Sequence, residues 1–262
     1  MDTYPLISCI CITKNRTTLL QRAIKCFEIQ SYPNKEMIIV FESDNIEAKE
    51  MLMGFNNKSI KAFEVSISPK KTLGELRNLA IEASEGSFFC QWDDDDWYST
   101  ERLLTQYLAI SQNRKECGML LYWIMYDCVN KQAYLSPLRL WEGSILCRKS
   151  LINHNFCYGN LSKGEDTILL KKLIGNNCIF PIIQPNIYIY TFHGKNTWDY
   201  NHFNKYFTTG KPLSEGLSKI VNEILSEKIS VLEGTEILQS DKFLKEINYS
   251  FKFINDYELQ LC

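Results

Sequence analysis

The sequence contains no CxxC pair, although it holds ten cysteines. That excludes a zinc ribbon and a dithiol redox centre of the usual spacing. Cys9, Cys11, Cys26, Cys90, Cys117, Cys128, Cys147, Cys157, Cys178 and Cys262 are scattered, and are expected to be small buried apolar side chains of a reducing compartment. There is no GxxxxGK[ST] segment, so a phosphate-cradling NTPase of that kind is excluded. No stretch reaches the roughly 18 apolar residues of a membrane span; the longest apolar block, residues 119–126, is of strand length. Residues 1–5 are short and polar, and the apolar run 6–12 lacks a basic leader and a small-residue cleavage site, so no secretory signal is expected, and the expected location is cytoplasmic. Charge of one sign is also scarce. The formal net charge of -2 provides no field for nucleic acid or an anionic membrane.

What is present is a globular composition, 45% hydrophobic and 23% charged over 262 residues, enough to bury a sizeable core. Strand and helix signals alternate through the first hundred residues. Apolar runs at 6–12, 37–41, 62–67 and 87–92 read as buried strands. Helices are expected at 17–30 (apolar face Leu19, Leu20, Ala23, Ile24 and Phe27), at 48–55, and at 73–84 (Leu76, Leu79, Ala80 and Ala83). This order predicts an α/β fold with a doubly wound, mostly parallel sheet covered on both faces. A helix at 100–112, strands within 118–147, a helix at 165–174 and a strand at 187–192 follow. Residues 211–262 have helical spacing, so the chain divides into a main domain, 1–207, and a helical C-terminal extension, 208–262. In such sheets ligands bind at the carboxyl ends of strands. The polar clusters Thr13 to Arg16, Glu42 to Asp44 and Asp93 to Asp96 should therefore share one edge.

The strongest motif is Trp92-Asp93-Asp94-Asp95-Asp96-Trp97. Adjacent carboxylates repel one another unless solvated or neutralised by a cation. In an extended segment Asp93 and Asp95 point the same way and would converge on a hard divalent cation, Mn²⁺ or Mg²⁺, that shares its shell with a diphosphate. A solvated acidic loop is the alternative. A calcium EF-hand is excluded, because Tyr98 and Leu104 stand where Gly and Glu are required. Glu165 and Asp166, after Gly164, either cap a helix or supply a base for an acceptor hydroxyl. His193, at a strand end before a polar loop, is a structural side chain or a ligand for a metal or phosphate. Arg77, on a helix packed against the sheet, suits phosphate or a base edge.

In order along the chain these pieces resemble glycosyltransferase family 2, the inverting transferases of GT-A fold. The resemblance spans roughly residues 5–200. It rests on Pro5-Leu6-Ile7-Ser8-Cys9-Ile10 through Asn15-Arg16, on Arg77-Asn78-Leu79-Ala80 through Gly86, on the strand ending in Asp93 to Asp96, and on Glu165-Asp166. It implies a nucleotide-sugar pocket drawn from Thr13, Lys14, Asn15, Arg16, Glu42, Asp44, Arg77, Asp93 and Asp94. It implies a metal held by Asp95, Asp93 and His193, and Asp166, paired with Glu165, as the base. The second strand ends in Glu42-Ser43-Asp44 where the family ordinarily has two aspartates, and Lys14 replaces a common tyrosine. UDP is the favoured nucleotide.

The expected activity is metal-assisted transfer of a sugar from a nucleotide-sugar donor to a hydroxyl of a glycan or lipid-linked saccharide, in polysaccharide biosynthesis, peripheral to the inner membrane face. No nucleic-acid partner is expected. Trp97, Trp141 and Trp198 are candidates for stacking on the acceptor, with core packing as the alternative. Two rivals stand beside this: a non-catalytic sugar- or nucleotide-binding scaffold, and a sugar nucleotidyltransferase, which should carry a glycine-rich loop after its first strand, absent from Thr13-Lys14-Asn15-Arg16.

Overall fold

The computed structural model describes residues 4–153 and 155–248. Elements run β1 (Ile7–Thr13), α1 (Thr17–Glu28), β2 (Lys35–Glu42), α2 (Ile46–Met53), β3 (Ile60–Val65), α3 (Leu73–Ala83), β4 (Phe88–Gln91), β5 (Trp97–Tyr98), α4 (Arg102–Gln112), β6 (Cys117–Leu120), β7 (Ile124–Asp127), β8 (Gln132–Leu135), β9 (Leu146–Arg148), α5 (Glu165–Gly175), β10 (Ile179–Ile182), β11 (Tyr188–Phe192), α6 (Tyr200–Thr209), β12 (Lys211–Pro212), α7 (Glu215–Leu225), α8 (Val231–Gln239) and α9 (Asp241–Asn248).

A seven-stranded sheet, ordered β10-β6-β9-β4-β1-β2-β3, forms the centre. All its pairs are parallel except those made by β9. This is the expected α/β class. The uninterrupted apolar runs have a direct cause: Cys9, Cys11, Met37 and Ile39 enter one core cluster, while the alternating Ile10, Ile38 and Val40 enter another across the sheet. Leu20, Ala23, Ile24 and Phe27 of α1 cover the first face; Leu76, Ala80 and Ile81 of α3, with Leu169 and Leu173 of α5, cover the second.

The sequence pattern does not announce a second, five-stranded sheet, β12-β8-β7-β11-β5, in which only β7 and β11 run parallel. Its strands are too short to display a period. The acidic segment is where the two sheets join: β4 ends at Gln91, a turn follows at Asp94 and Asp95, and β5 enters the second sheet antiparallel to β11.

The helices after Thr209 share the main core. Leu217, Val221, Ile224, Leu238, Phe243 and Ile247 belong to the same apolar cluster as β1 and β2. Buried Arg22 on α1 donates to the Leu225 carbonyl at 2.9 Å and to the Asp95 carbonyl at 2.7 Å, tying α7 to the acidic turn. Residues 249–262 of the expected extension, with Cys262, lie outside the described residues. Cys117 and Cys147 depart from the expectation of free thiols: they are partners in register across β6 and β9 and form a disulfide. Among the described residues, no helix is long and apolar enough to cross a membrane.

Two local devices position the helices that matter most. Thr72 and Glu75 form a capping box at the start of α3. Gly74 lies so close to the loop before α5 that an added Cβ would stand 1.8 Å from the Gly159 carbonyl oxygen, and its own N–H donates to the Leu161 carbonyl at 3.0 Å. The contact is with backbone, which cannot rotate away. Gly74→Ala is therefore expected to lower the unfolding free energy by about 1–3 kcal/mol, the usual cost of overpacking. Urea denaturation checks this; a loss below roughly 0.5 kcal/mol, the range of an ordinary surface change, would show that the loop yields freely.

Candidate active site

The strand ends β1 and β4, the loop after β11 and the start of α5 enclose a cleft of about 310 Å³. Its lining includes the acids Asp93, Asp94, Asp95 and Asp166 and the aromatic side chains Trp141, Tyr190, Trp198 and Tyr206.

The four aspartates do not act as a block, because the turn at Asp94 and Asp95 breaks the extended alternation expected from sequence. Each carboxylate has its own partners. Asp93 accepts from Arg77 at 2.9 Å and from the Gln91 amide at 2.9 Å. Asp94 accepts from the Thr13 hydroxyl at 2.6 Å and from Arg16 Nη1 at 3.2 Å. Asp95 Oδ2 receives Arg16 Nη1 at 2.6 Å, lies 3.1 Å from His193 Nε2 and accepts from the Asn196 amide at 3.4 Å. Asp96, fully buried, accepts from the Tyr188 hydroxyl and from Thr191 N at 3.0 Å. It pins the turn to β11 and faces away from the cleft. Asp93 and Asp95 thus have different partners, Arg77 and Arg16, and Asp94 and Asp95 share Arg16.

Arg16 returns to the acids because Asn15 adopts a left-handed conformation, φ 52°, which asparagine tolerates better than most residues. The electrostatics follow from crowding. Burial, and then the charge of Asp95, push the Asp94 carboxyl up to about 7. At Asp95 burial acts in the same direction but is outweighed by the His193 contact and Arg16, so its carboxyl is held below the usual range.

Arg77 is buried and links the acidic turn to α5. It pairs with Asp93, lies 2.8 Å from Glu165 and 3.9 Å from Asp166. Its side chain lies over the Tyr158 ring, and the Tyr158 hydroxyl donates to Gln91. Asn78 fixes the loop before α5, donating to the Tyr158 carbonyl at 3.0 Å and accepting from its N–H at 3.1 Å. Gly164, with φ 72°, turns the chain into α5. The two acids that follow separate in role. Glu165 is buried against Arg77, and burial with the neighbouring Asp166 charge pushes it up to about 6 against the pull of Arg77. Asp166 keeps a quarter of its side chain exposed, on the cleft wall; one oxygen accepts from Thr167 N at 2.9 Å.

The remaining expected residues divide. Glu42, buried at the end of β2, is paired with Lys70 and with Lys14 at 3.4 Å. Thr13, Lys14, Asn15, Glu42, Asp44 and His193 do not line the cleft, although Thr13 and His193 contact Asp94 and Asp95, which do; Asp44 is exposed. Trp141 and Trp198 line it; Trp198 stacks on His202 at 4.2 Å. Trp97 is not available for stacking on a ligand: it is fully buried, because β5 turns it into the core against α8. Sequence reasoning missed Gln91, Asn196, Arg139, Glu142, Tyr190 and Tyr206. Asn196 stands in the polar loop that follows His193; the Arg139-Leu140-Trp141-Glu142 segment has no period to mark it.

Whether these residues suit a divalent cation can be tested on their geometry. Asp95 Oδ2 and His193 Nε2, 3.1 Å apart, have about the separation of neighbouring ligands on a cation with bonds near 2.1 Å. Carboxylate plus imidazole is a sound donor set for Mn²⁺. Among the described residues no three His, Cys, Asp or Glu side chains form a ready cage. A cation that draws most of its shell from a diphosphate and water needs none. The residues fit.

Solved structures of similar fold include Staphylococcus aureus TarS, residues 1–349, in complex with UDP, at 17% identity and a TM-score of 0.58, covering 97% of this chain and 76% of that one. The same protein in complex with UDP-GlcNAc matches at 17% identity and a TM-score of 0.59, covering 98% of this chain and 76% of that one. Against a longer TarS structure the TM-score is 0.56 at 17% identity, and the chain covers 98% of itself but only 46% of that protein. No curated protein sequence matches. The likeness supports the GT-A fold. A match to the family described as glycosyl transferase family 2 covers residues 8–158, more than half of the sequence, and the chain belongs to that family of glycosyltransferases.

Proposed function

We propose that the chain transfers a sugar from a UDP-sugar to a hydroxyl of a glycan or lipid-linked saccharide, inverting the anomeric centre, with a divalent metal and Asp166 as base. The observation that carries this reading is that the acidic turn and Asp166 line one cleft and are linked through the Arg77 guanidinium. The bound UDP and UDP-GlcNAc of the TarS structures support the choice of nucleotide.

In this reading Thr13, Lys14, Asn15, Arg16, Glu42 or Asp44, and Arg77 receive the nucleotide, with Asp93 and Asp94 toward the ribose and diphosphate. Asp95 and His193 would hold Mn²⁺ or Mg²⁺, with Asp93 held back by Arg77. When bound, the metal offsets charge on the departing diphosphate. Asp166, more exposed than Glu165, accepts the proton of the acceptor hydroxyl as its oxygen attacks the anomeric carbon. The bond from that carbon to the diphosphate breaks, and the electron pair leaves with the nucleotide. Glu165 acts through Arg77, fixing the start of α5. Trp141 and Trp198 would offer apolar faces to the acceptor, joined by Tyr190 and Tyr206. Residues 1–207 carry the chemistry, and the helices beyond buttress the acidic turn through Arg22. An acceptor presented at the inner membrane face belongs to the same proposal.

Asp166→Asn is expected to retain donor binding by thermal shift and to lower transfer by roughly 10²–10⁴-fold, the span of general base catalysis; unchanged transfer would remove Asp166 from that role. Chelation with EDTA is expected to abolish nucleotide release from a UDP-sugar, and Mn²⁺ to restore it. Release that persists at full rate under chelation would contradict metal assistance.

A further inference from the structure

Arg16 stands on the same carboxylate oxygen that the metal would use. Asp95 Oδ2 receives Arg16 Nη1 at 2.6 Å, and His193 Nε2 and Asn196 Nδ2 lie 3.1 and 3.4 Å from it. Such an oxygen has about two lone-pair directions, so it is saturated by nitrogen contacts alone. The same Nη1 is 3.2 Å from Asp94 Oδ1, so the guanidinium serves as the counter-ion of both acids. A divalent cation bound at Asp95 and His193 would meet a fixed positive charge beside it, on an oxygen already taken.

Arg16 also does a second thing. Its Nη2 donates to the Lys195 carbonyl at 2.8 Å, tethering the loop that follows β11. That loop supplies Asn196, Thr197 and Trp198 to the cleft wall. The Arg16 side chain is 21% exposed at the cleft, so it can leave Asp95 without opening the core. A guanidinium released there has a natural new partner, since its fork matches phosphate oxygens.

Resting on the reading above, we propose that Arg16 and the metal compete for Asp95, so that the cation loads together with a nucleoside diphosphate, which takes over the guanidinium. Metal and nucleotide then strengthen each other's binding, as linkage requires of any two ligands that favour one state. Moving Arg16 also frees the Lys195 carbonyl, so the loop bearing Trp198 loses one of its tethers when the donor site fills, while Asn196 still holds it to Thr191 and His193.

The test is direct Mn²⁺ binding to the full chain, read from the loss of the free-ion EPR signal, with and without UDP. Wild-type protein should bind Mn²⁺ weakly alone and about tenfold or more tightly with UDP. Arg16→Gln should bind Mn²⁺ alone about tenfold more tightly than wild type, with most of the UDP enhancement gone. Arg16→Lys, which keeps the charge but loses the fork, should fall between them and serves if the glutamine variant does not fold. His193→Ala should weaken Mn²⁺ binding in every background; retained binding would place the ion elsewhere and overturn the proposal. Variants that bind Mn²⁺ no more tightly than wild type would overturn the competition while leaving metal use intact. Wild-type protein that binds no Mn²⁺ even with UDP would remove the metal from the proposed function, and the competition with it.

Discussion

Four successive carboxylates at the junction of two sheets must each be ion-paired or hydrogen-bonded, and the rest of the structure is arranged around that requirement. A buried carboxylate without a partner is costly. The chain answers with Arg77 for Asp93, Thr13 and Arg16 for Asp94, the same Arg16 with His193 for Asp95, and Tyr188 and Thr191 for Asp96. Those partners come from β1, α3, β11 and the loops between them. The turn therefore fixes the relative placement of elements distant in sequence, and the cleft is what remains between them.

This division separates structure from chemistry. Asp96 faces the core and joins the sheets; Arg102 behind it lies over the rings of Trp92, Tyr98 and Tyr188 and donates to the Gln91 carbonyl. The Tyr98 hydroxyl in turn donates to the Asp93 carbonyl. Asp93 and Glu165 share Arg77 and hold α5 against the turn. Asp94, Asp95 and Arg16 line the cleft, and Asp166 lines it as well. A rigid scaffold of this kind suits a transfer reaction, which depends on holding donor and acceptor in register.

Much of this was legible in the sequence, for physical reasons. Strands β1, β2 and β4 are buried on both faces, so their apolar runs are unbroken, and α1 and α3 show the matching stripe. Polar residues right after such strands must lie at one sheet edge, which brought Thr13, Arg16 and the aspartates together. The failures are equally physical. Strand alternation was applied to Asp93 and Asp95, but the chain turns at Asp94. Trp97 stood beside the acids in sequence, yet its two-residue strand buries it. The second sheet has strands too short to carry a period. The helices after Thr209 show the expected spacing, but their burial in the main core depends on contacts such as Arg22 with Leu225 that no local pattern encodes. The Cys117–Cys147 pairing arises from sheet register, not from spacing.

The central claim is that the acidic turn holds a cation against a diphosphate. Its most direct measurement is anomalous diffraction from crystals grown with Mn²⁺ and UDP. The account predicts one manganese peak bonded to Asp95, His193 and the UDP phosphates, with Arg16 moved from Asp95 to the diphosphate. UDP bound in the cleft with Arg16 still seated on Asp94 and Asp95, and no manganese beside them, would contradict it.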